Sequence, residues 1–482
     1  MIAIAGTIGT GLFLKSGDVI AHAGALGALM AYVLSGISVY CVVMSLGEMA
    51  TMIPVSGSFN EYAGRFIDPA LGFAFGWMYW FQWLLTFPVE IQAAAGFFSH
   101  WSGFIGDNPW YMFVILTVLL TFINLIAVTG FGETEYWLSF AKIFAIALFI
   151  IVAIGVLIVN RNYGQWIQTS GKWNLGYLGC YGQCFLISAA FAFGGTELVG
   201  ITPSKSVPRA INGTFWRIAI FYFSTIFLIG LIKQLADLAV IGGLDKSPFV
   251  FTLKAAGIDF ASELINFVAL VAVVSAANSS VYACSRTMMA LCQTGKGPAF
   301  LGKNDKRGVP FLQTVIVATL GFAVFFITLV PASEQDIRAG HDAFDLLVGC
   351  VGACILMIWT MISFTHIRFR AALKAQGIPL SELIYVVGDY IAIIINVSAL
   401  FFSGTATFFA DPSKFNIVDF LDAYIILLAY PILYFAYKFT YNTKIVSLTE
   451  VDFVTGVQLK RDVVEIEEPP KSFFGKLLDL VA

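Results

Sequence analysis

The sequence predicts an all-α, polytopic membrane protein of about twelve spanning helices, each needing roughly 20 mostly apolar residues. Three observations carry this. Of the 482 residues, 59% are hydrophobic and 12% are charged, whereas a soluble chain carries about 25% charged residues. Apolar runs long enough to cross a bilayer follow one another through most of the chain. Lys and Arg collect in alternate loops between those runs, which is the bias that sets membrane orientation.

The spans lie near 1–24, 27–52, 70–97, 110–128, 134–159, 180–203, 211–232, 261–292, 312–330, 343–364, 389–409 and 419–439. Polar, Gly-, Pro- or Asp-containing stretches separate them, the longest being a mixed segment at 233–260. With the N-terminus in the cytoplasm, Arg65, Lys205, Arg209, Arg217, Arg286, Lys296, Lys303, Lys306, Arg307, Arg368, Arg370 and Lys374 fall inside, as do the basic residues of the tail. Arg161, Lys172, Lys233, Lys246, Lys254, Arg338 and Lys414 fall outside. The bias fits an even number of spans with both termini inside. Residues 440–482 form a polar C-terminal tail, and Lys471–Val481 has the spacing of a short helix lying on the inner leaflet. A frayed tail fits the same residues.

Other classes are excluded or disfavoured. The net charge of −3 gives no sign of a nucleic-acid partner. Cys41, Cys180, Cys184, Cys284, Cys292, Cys350 and Cys354 sit in or beside apolar runs without CxxC spacing, so no metal site or disulfide framework is expected. The four histidines, His22, His100, His341 and His366, are scattered, which argues against a membrane enzyme. No cofactor is implied.

Two spans carry Gly-rich interruptions. The first contains Gly6-Thr7-Ile8-Gly9-Thr10-Gly11, and the sixth contains Phe193-Gly194-Gly195-Thr196-Glu197. Gly inside a helix costs up to about 1 kcal/mol relative to Ala, and unwound backbone within a membrane survives only where protein or a watery cavity satisfies it. Interrupted helices at matching positions of two halves point to a midplane binding site. The half-helix starting near Leu12 offers free N–H groups and a positive dipole end, suited to a carboxylate. The half-helix ending near Phe193 offers free carbonyls, suited to an ammonium. One anion site facing one cation site is what an α-amino acid zwitterion requires. The alternative is that these glycines only allow close helix packing.

The blocks Met1–Phe13, Ser45-Leu46-Gly47-Glu48-Met49-Ala50, Gly195–Thr202, Ser206–Ile211, Ser275-Ala276-Ala277-Asn278-Ser279 and His366-Ile367-Arg368-Phe369 resemble the fungal amino-acid permeases of the amino acid–polyamine–organocation superfamily. They occur in that family's order over essentially the whole chain. The resemblance implies a LeuT-type fold of two inverted five-helix repeats plus two extra helices. It places the transmembrane domain at 1–439, with repeats near 1–159 and 180–364 and the extra helices near 389–439. It further implies proton-coupled uptake of L-amino acids, basic or broad in range, at the plasma membrane, with amino acid, proton and lipid as partners.

On this reading the backbone at Thr7, Ile8, Gly9, Thr10 and Gly11 takes the substrate carboxylate, and the carbonyls at Phe193 and Gly194 take the amine. Glu90, mid-span beside Pro88, costs about 2.5–3.5 kcal/mol at that depth and so calls for a role. The family's Glu there implies the substrate or proton pathway; a helix–helix hydrogen bond is the plainer alternative. Glu197 is read as a charge near the substrate amine or a gate, or as an N-cap of the next half-helix. Lys142 lies roughly 12 Å into its span. The resemblance makes it the proton-coupling cation that stands where sodium-coupled cousins hold Na⁺; capping of unwound carbonyls is the alternative. Glu48 and Arg286 are expected in gate or packing ion pairs at the inner ends of their spans. Phe193 is the candidate substrate lid. Lys15 is unusual for the family and is expected at the outer vestibule.

The chain departs from the family after Thr202, where about six residues of the usual stretch are lacking on a helix that rises about 1.5 Å per residue. The usual Pro-Tyr-Asn block after the seventh span and the N-terminal tail are also missing. Two other readings therefore stay open: an amino-acid sensor on a transporter scaffold, and a shortened variant without transport activity.

Overall fold

The computed structural model describes residues 6–53, 58–102, 104, 108–126, 128–160, 190–200, 207–232, 247–255, 257–306, 308–328, 343–378, 384–404, 417–453 and 455. The start of the sixth span, the shortened segment after Thr202 and the amphipathic end of the tail lie outside these residues.

Among the described residues every regular element is helical. The helices are α1 (Thr10–Phe13), α2 (Lys15–Met52), α3 (Ser58–Phe66), α4 (Pro69–Ser99), α5 (Pro109–Ile126), α6 (Val128–Asn160), α7 (Phe191–Phe193), α8 (Val207–Ile232), α9 (Pro248–Ala255), α10 (Asp259–Gln293), α11 (Phe311–Thr328), α12 (Ala343–Ala375), α13 (Ile384–Phe402) and α14 (Ile417–Tyr441). A 3-10 turn at Thr196–Gly200 follows α7. Gly24 splits α2: its φ of 72° lies in the left-handed region that a side chain disfavours. The arms on either side are the end of the first predicted span and the whole of the second. The tenth span continues to Ala375, so its basic end stands beyond the predicted limit.

Five described helical segments are long and apolar enough to cross a membrane: Ala23–Met52, Pro109–Ile126, Thr134–Val159, Phe260–Gln293 and Phe344–Ala375. Helix α4 is not among them, for a physical reason. Trp, Tyr, Gln, Gly and Pro dilute its hydropathy, yet nearly all its residues from Ala70 to Phe97 are buried in protein. It is the central post of the bundle, solvated by other helices instead of lipid. Asp68 starts it, accepting the Ala70 N–H at 2.9 Å, with Pro69 at the first helical position. By contrast, α5 and α6 turn Ile115, Val118, Phe122, Ile151 and Ile158 outward, the surface that lipid covers.

The packing pairs equivalent elements of the two halves. Helix α4 lies along α10, α2 lies along α8, and the two breaks touch each other. In span order these pairs are 3 with 8, 2 with 7, and 1 with 6. A two-fold relation between halves produces this pairing. Helices α13 and α14 pack outside this core against α2, α12 and α4.

The face carrying Arg65, Lys296 and Arg368 is closed by the chain after α14. Val446 N–H donates to the Ile67 carbonyl at 2.8 Å. Arg368 donates to the Phe66 carbonyl at 2.9 Å and to the Val446 carbonyl at 2.5 Å. Phe453 packs on Phe66 and Phe369. The first dozen residues of the predicted tail are thus docked. On the same face Lys438, Thr443 and Tyr434 all donate to Asp68. Burial opposes charge on Asp68, but these bonds and the Ala70 N–H outweigh it and hold its pKa below the ordinary carboxylate value.

Candidate functional site

The two broken helices cross at backbone distance. A Cβ on Gly11 would stand 2.5 Å from Ala192 Cα, and one on Gly195 would stand 3.1 Å from the Gly6 carbonyl. Gly195 also has a φ of 95°. Glycine is required at 11 by contact with backbone and at 195 by backbone conformation.

At the first break Gly9 is extended, with φ −150° and ψ −142°, and the helix resumes at Thr10. The carboxylate of Glu90 sits on this helix start. It accepts the Thr10 hydroxyl at 2.7 Å and the Thr10 N–H at 3.2 Å. Glu90 is buried, and Gly9 leaves room for it: a Cβ there would meet its Oε1 at 2.9 Å.

At the second break α7 stops at Gly194, whose ψ of 141° turns the chain out of the helix. The Phe193 carbonyl accepts the Thr196 hydroxyl at 3.0 Å. Tyr222 of α8 stands between the carbonyls of Ala192, at 2.7 Å, and Thr7, at 3.1 Å. Its one hydroxyl hydrogen serves one of them at a time, so the junction holds acceptors in excess of these donors. Glu197 folds back and accepts the Gly195 N–H at 3.1 Å and the Trp359 Nε1–H at 3.5 Å.

Around the junction the buried Gln82 Oε1 and Ser279 Oγ lack a hydrogen-bond partner among the described residues. Trp83 and Ser279 border Gly6 directly. Buried polar groups are normally paired, and orphans gathered at a double helix break are what a polar ligand completes.

A second polar group lies beside the first. Lys142 is buried and couples electrostatically to Glu135 and Glu90. Glu135 is also buried and accepts Ser275 Oγ–H at 2.6 Å and Asn278 Nδ2–H at 2.6 Å. Asn124 in turn donates to Asn278 at 2.8 Å.

The amino acid permease family matches residues 1–450 of this sequence. The chain belongs to that family. The lysine-specific permease LysP of Lactococcus lactis is 38% identical over 480 residues, spanning 94% of this chain and 90% of its own. The lysine-specific permease of Saccharomyces cerevisiae is 34% identical, over 100% of this chain and 81% of its own. Bacterial and yeast relatives thus stand side by side, so the family is not narrowed to a fungal branch. Among solved structures, a manganese transporter of Eremococcus coleocola superposes with a TM-score of 0.56 at 15% identity, covering 90% of this chain and 92% of its own. MhsT in complex with L-phenylalanine gives 0.52 at 16% identity, over 84% and 97%. These two show the transporter fold alone. The relatives are permeases, which supports a transporter over an enzyme.

Within this permease the structure brings Thr7 to Gly11, Glu90, Phe193, Gly194 and Glu197 into one buried junction, with Lys142 coupled to Glu90. The partners differ from expectation at four points. The Thr10 N–H faces the carboxylate of Glu90 itself. Glu197 caps backward onto Gly195. The Phe193 ring, expected as a lid, is enclosed by Tyr32 of α2 and Tyr222 of α8, with centroids at 6.2 and 4.8 Å. Glu48 pairs with Arg370 at 2.8 Å and His366 at 2.9 Å, while Arg286 lies 3.5 Å over the Tyr282 ring. Both were expected in gate or packing ion pairs; the packing of α12 on α2 gives Glu48 such a pair with Arg370, while Arg286 rests on an aromatic ring.

Three sets of residues were missed or unexplained. Glu135, near the start of the fifth predicted span, was not singled out. His366, counted as one of the scattered histidines, lies between Asp389 at 2.5 Å and Glu48 at 2.9 Å, fully buried. Lys15 joins Asp18 at 2.7 Å and Asp345 of α12, over the Phe344 ring. The spacing of Lys15 and Asp18, three apart on one helix, was the one local signal available.

Proposed function

We propose that this chain is a proton-coupled permease for L-amino acids that favours cationic ones, set in the plasma membrane with both termini in the cytoplasm. The observation that carries the reading is the Glu90 carboxylate on the Thr10 N–H and hydroxyl. This helix start is built to hold a carboxylate, and the chain's own side chain holds the place. A substrate carboxylate competes for the same donors. A proton on Glu90 removes its charge, weakens its hold and yields the donors, so proton and substrate enter together. The substrate ammonium then faces the carbonyls of Thr7, Ala192 and Phe193.

Charge bookkeeping supports the choice of substrate. Glu90 and Glu135 are buried and coupled to Lys142, and Glu197 is buried in the same region. Buried unpaired charge costs several kcal/mol, on the order of 3–5 when a partner is removed. A proton and a net-positive amino acid together offset the surplus. The lysine-specific relatives point the same way. The basic residues at 65, 296, 368 and 374 set their face toward the cytoplasm. The test is uptake of radiolabelled L-lysine by liposomes containing the purified chain, with competing amino acids, with and without an inward proton gradient. Specific lysine binding with no uptake under either condition would mark a sensor on the same scaffold.

A further inference from the structure

We propose that Glu135 is the acceptor that receives the transported proton from Lys142 and passes it to water at the face carrying Arg65 and Lys296. The proposal rests on the proton-coupled reading above.

Placement comes first. Glu135 and Lys142 are seven residues apart on α6, two turns, which sets them on one side of the helix about 10.5 Å apart along its axis. In a helix the Cα–Cβ bonds tilt toward the N-terminus. Both side chains thus lean back along α6, and the longer Lys142 reaches further toward 135 than Glu135 leans away, which narrows the gap. Helix α6 begins at Val128, seven residues before Glu135, so Glu135 lies midway between the start of its helix and Lys142. The end of α5 with Asn124 reaches the same level.

Surroundings come second. Glu135 is fully buried where α5, α6 and α10 meet. Both carboxylate oxygens are held, one by Ser275 and one by Asn278, each at 2.6 Å, and Asn278 is itself fixed by Asn124 at 2.8 Å. From α10 and α5 the groups facing it are thus a hydroxyl and two amides, none of which titrates in the physiological range. The charged group coupled to it is Lys142, from its own helix, and Lys142 is coupled to Glu90 of α4 on its other side. Lys142 therefore stands between two acids, one on the substrate junction and one on the path to water.

The step balances as a simple proton transfer. The Lys142 ammonium becomes an amine and the Glu135 carboxylate becomes a carboxylic acid. Glu135 then loses the proton to water at the basic face and returns to its carboxylate. No redox partner or covalent bond is involved. Ser275 and Asn278 are positioning residues that fix the acceptor oxygens.

The experiment uses the full chain in liposomes, radiolabelled L-lysine and an internal pH dye. Glu135→Gln should lower gradient-driven lysine accumulation, and the proton influx that accompanies it, by at least about tenfold, while lysine–lysine exchange without a gradient stays within roughly threefold of wild type. Glu135→Asp, which keeps a carboxylate, should restore most of the gradient-driven accumulation. Wild-type accumulation and external-pH dependence in Glu135→Gln overturn the proposal. So does a parallel loss of exchange and accumulation, because that marks a polar staple holding three helices together. If the unsubstituted chain itself ignores the proton gradient, the coupled reading fails, and with it this role. A gradient-driven wild type with an unaffected Glu135→Gln removes Glu135 alone.

Discussion

Replacing Glu90 by Gln separates the two things its carboxylate does at Thr10. The side chain stays nearly isosteric and keeps an oxygen that accepts from the Thr10 hydroxyl, now at 2.7 Å, and N–H, now at 3.2 Å. What is lost is the charge. A hydrogen bond to a charged group contributes about 1.5–3 kcal/mol and a neutral one about 0.5–1.5. The shorter bond thus weakens by about 1–1.5 kcal/mol, close to tenfold in an equilibrium constant. In the wild type the substrate carboxylate displaces Glu90 readily only when Glu90 holds a proton, so lysine affinity falls as pH rises. Between about pH 5.5 and pH 8.5 that fall should reach at least tenfold in the wild type and stay under about twofold in Glu90→Gln, because Gln does not titrate. The assay is scintillation-proximity binding of L-lysine to purified protein across that pH range. A variant that keeps the wild-type pH slope would refute the competition at Thr10.

Other outcomes follow from other parts of the molecule. His366→Phe leaves Asp389, itself fully buried, with Ser45 at 2.6 Å as a remaining donor; it should lower stability in detergent by about 3–5 kcal/mol, and adding Asp389→Leu should recover at least half of that. Gly11→Val drives a Cβ to within 2.5 Å of Ala192 Cα, an overpacking of about 1–3 kcal/mol that should abolish lysine binding. Ala192→Gly should not rescue it, since the obstructing atoms are backbone. Asp68 has a folded pKa below its ordinary value, so its stabilisation is full above the ordinary value and is lost as pH falls through the folded one. Asp68→Asn should flatten that acid limb in a thermal-stability scan.

Much of the architecture was legible because the bilayer imposes it. Long apolar runs and two Gly-rich breaks are one-dimensional signals, and the structure places both breaks in one junction. Glu90 and Lys142 were legible for the same reason, since a charge deep in an apolar run stands out against its neighbours. Partner identity was not. Glu48 and Arg370 are 322 positions apart, and no spacing rule links them; only the packing of α12 on α2 brings them together. Glu135 escaped notice because it stands near the start of its run, where a carboxylate reads as solvated, yet α5 and α10 cover it. Helix α4 was legible as a span despite its Trp, Gln, Gly and Pro content, and the structure buries nearly all of it from Ala70 to Phe97.

The central claim is that the α1–α7 junction binds an amino acid together with a proton. The most direct test is simultaneous measurement, in liposomes containing this chain, of radiolabelled L-lysine uptake and internal acidification as an inward proton gradient is imposed. The account predicts lysine accumulation above the external concentration, proton influx that requires lysine, and loss of both on dissipating the gradient. Lysine that only equilibrates, at a rate and level indifferent to the gradient, would contradict it.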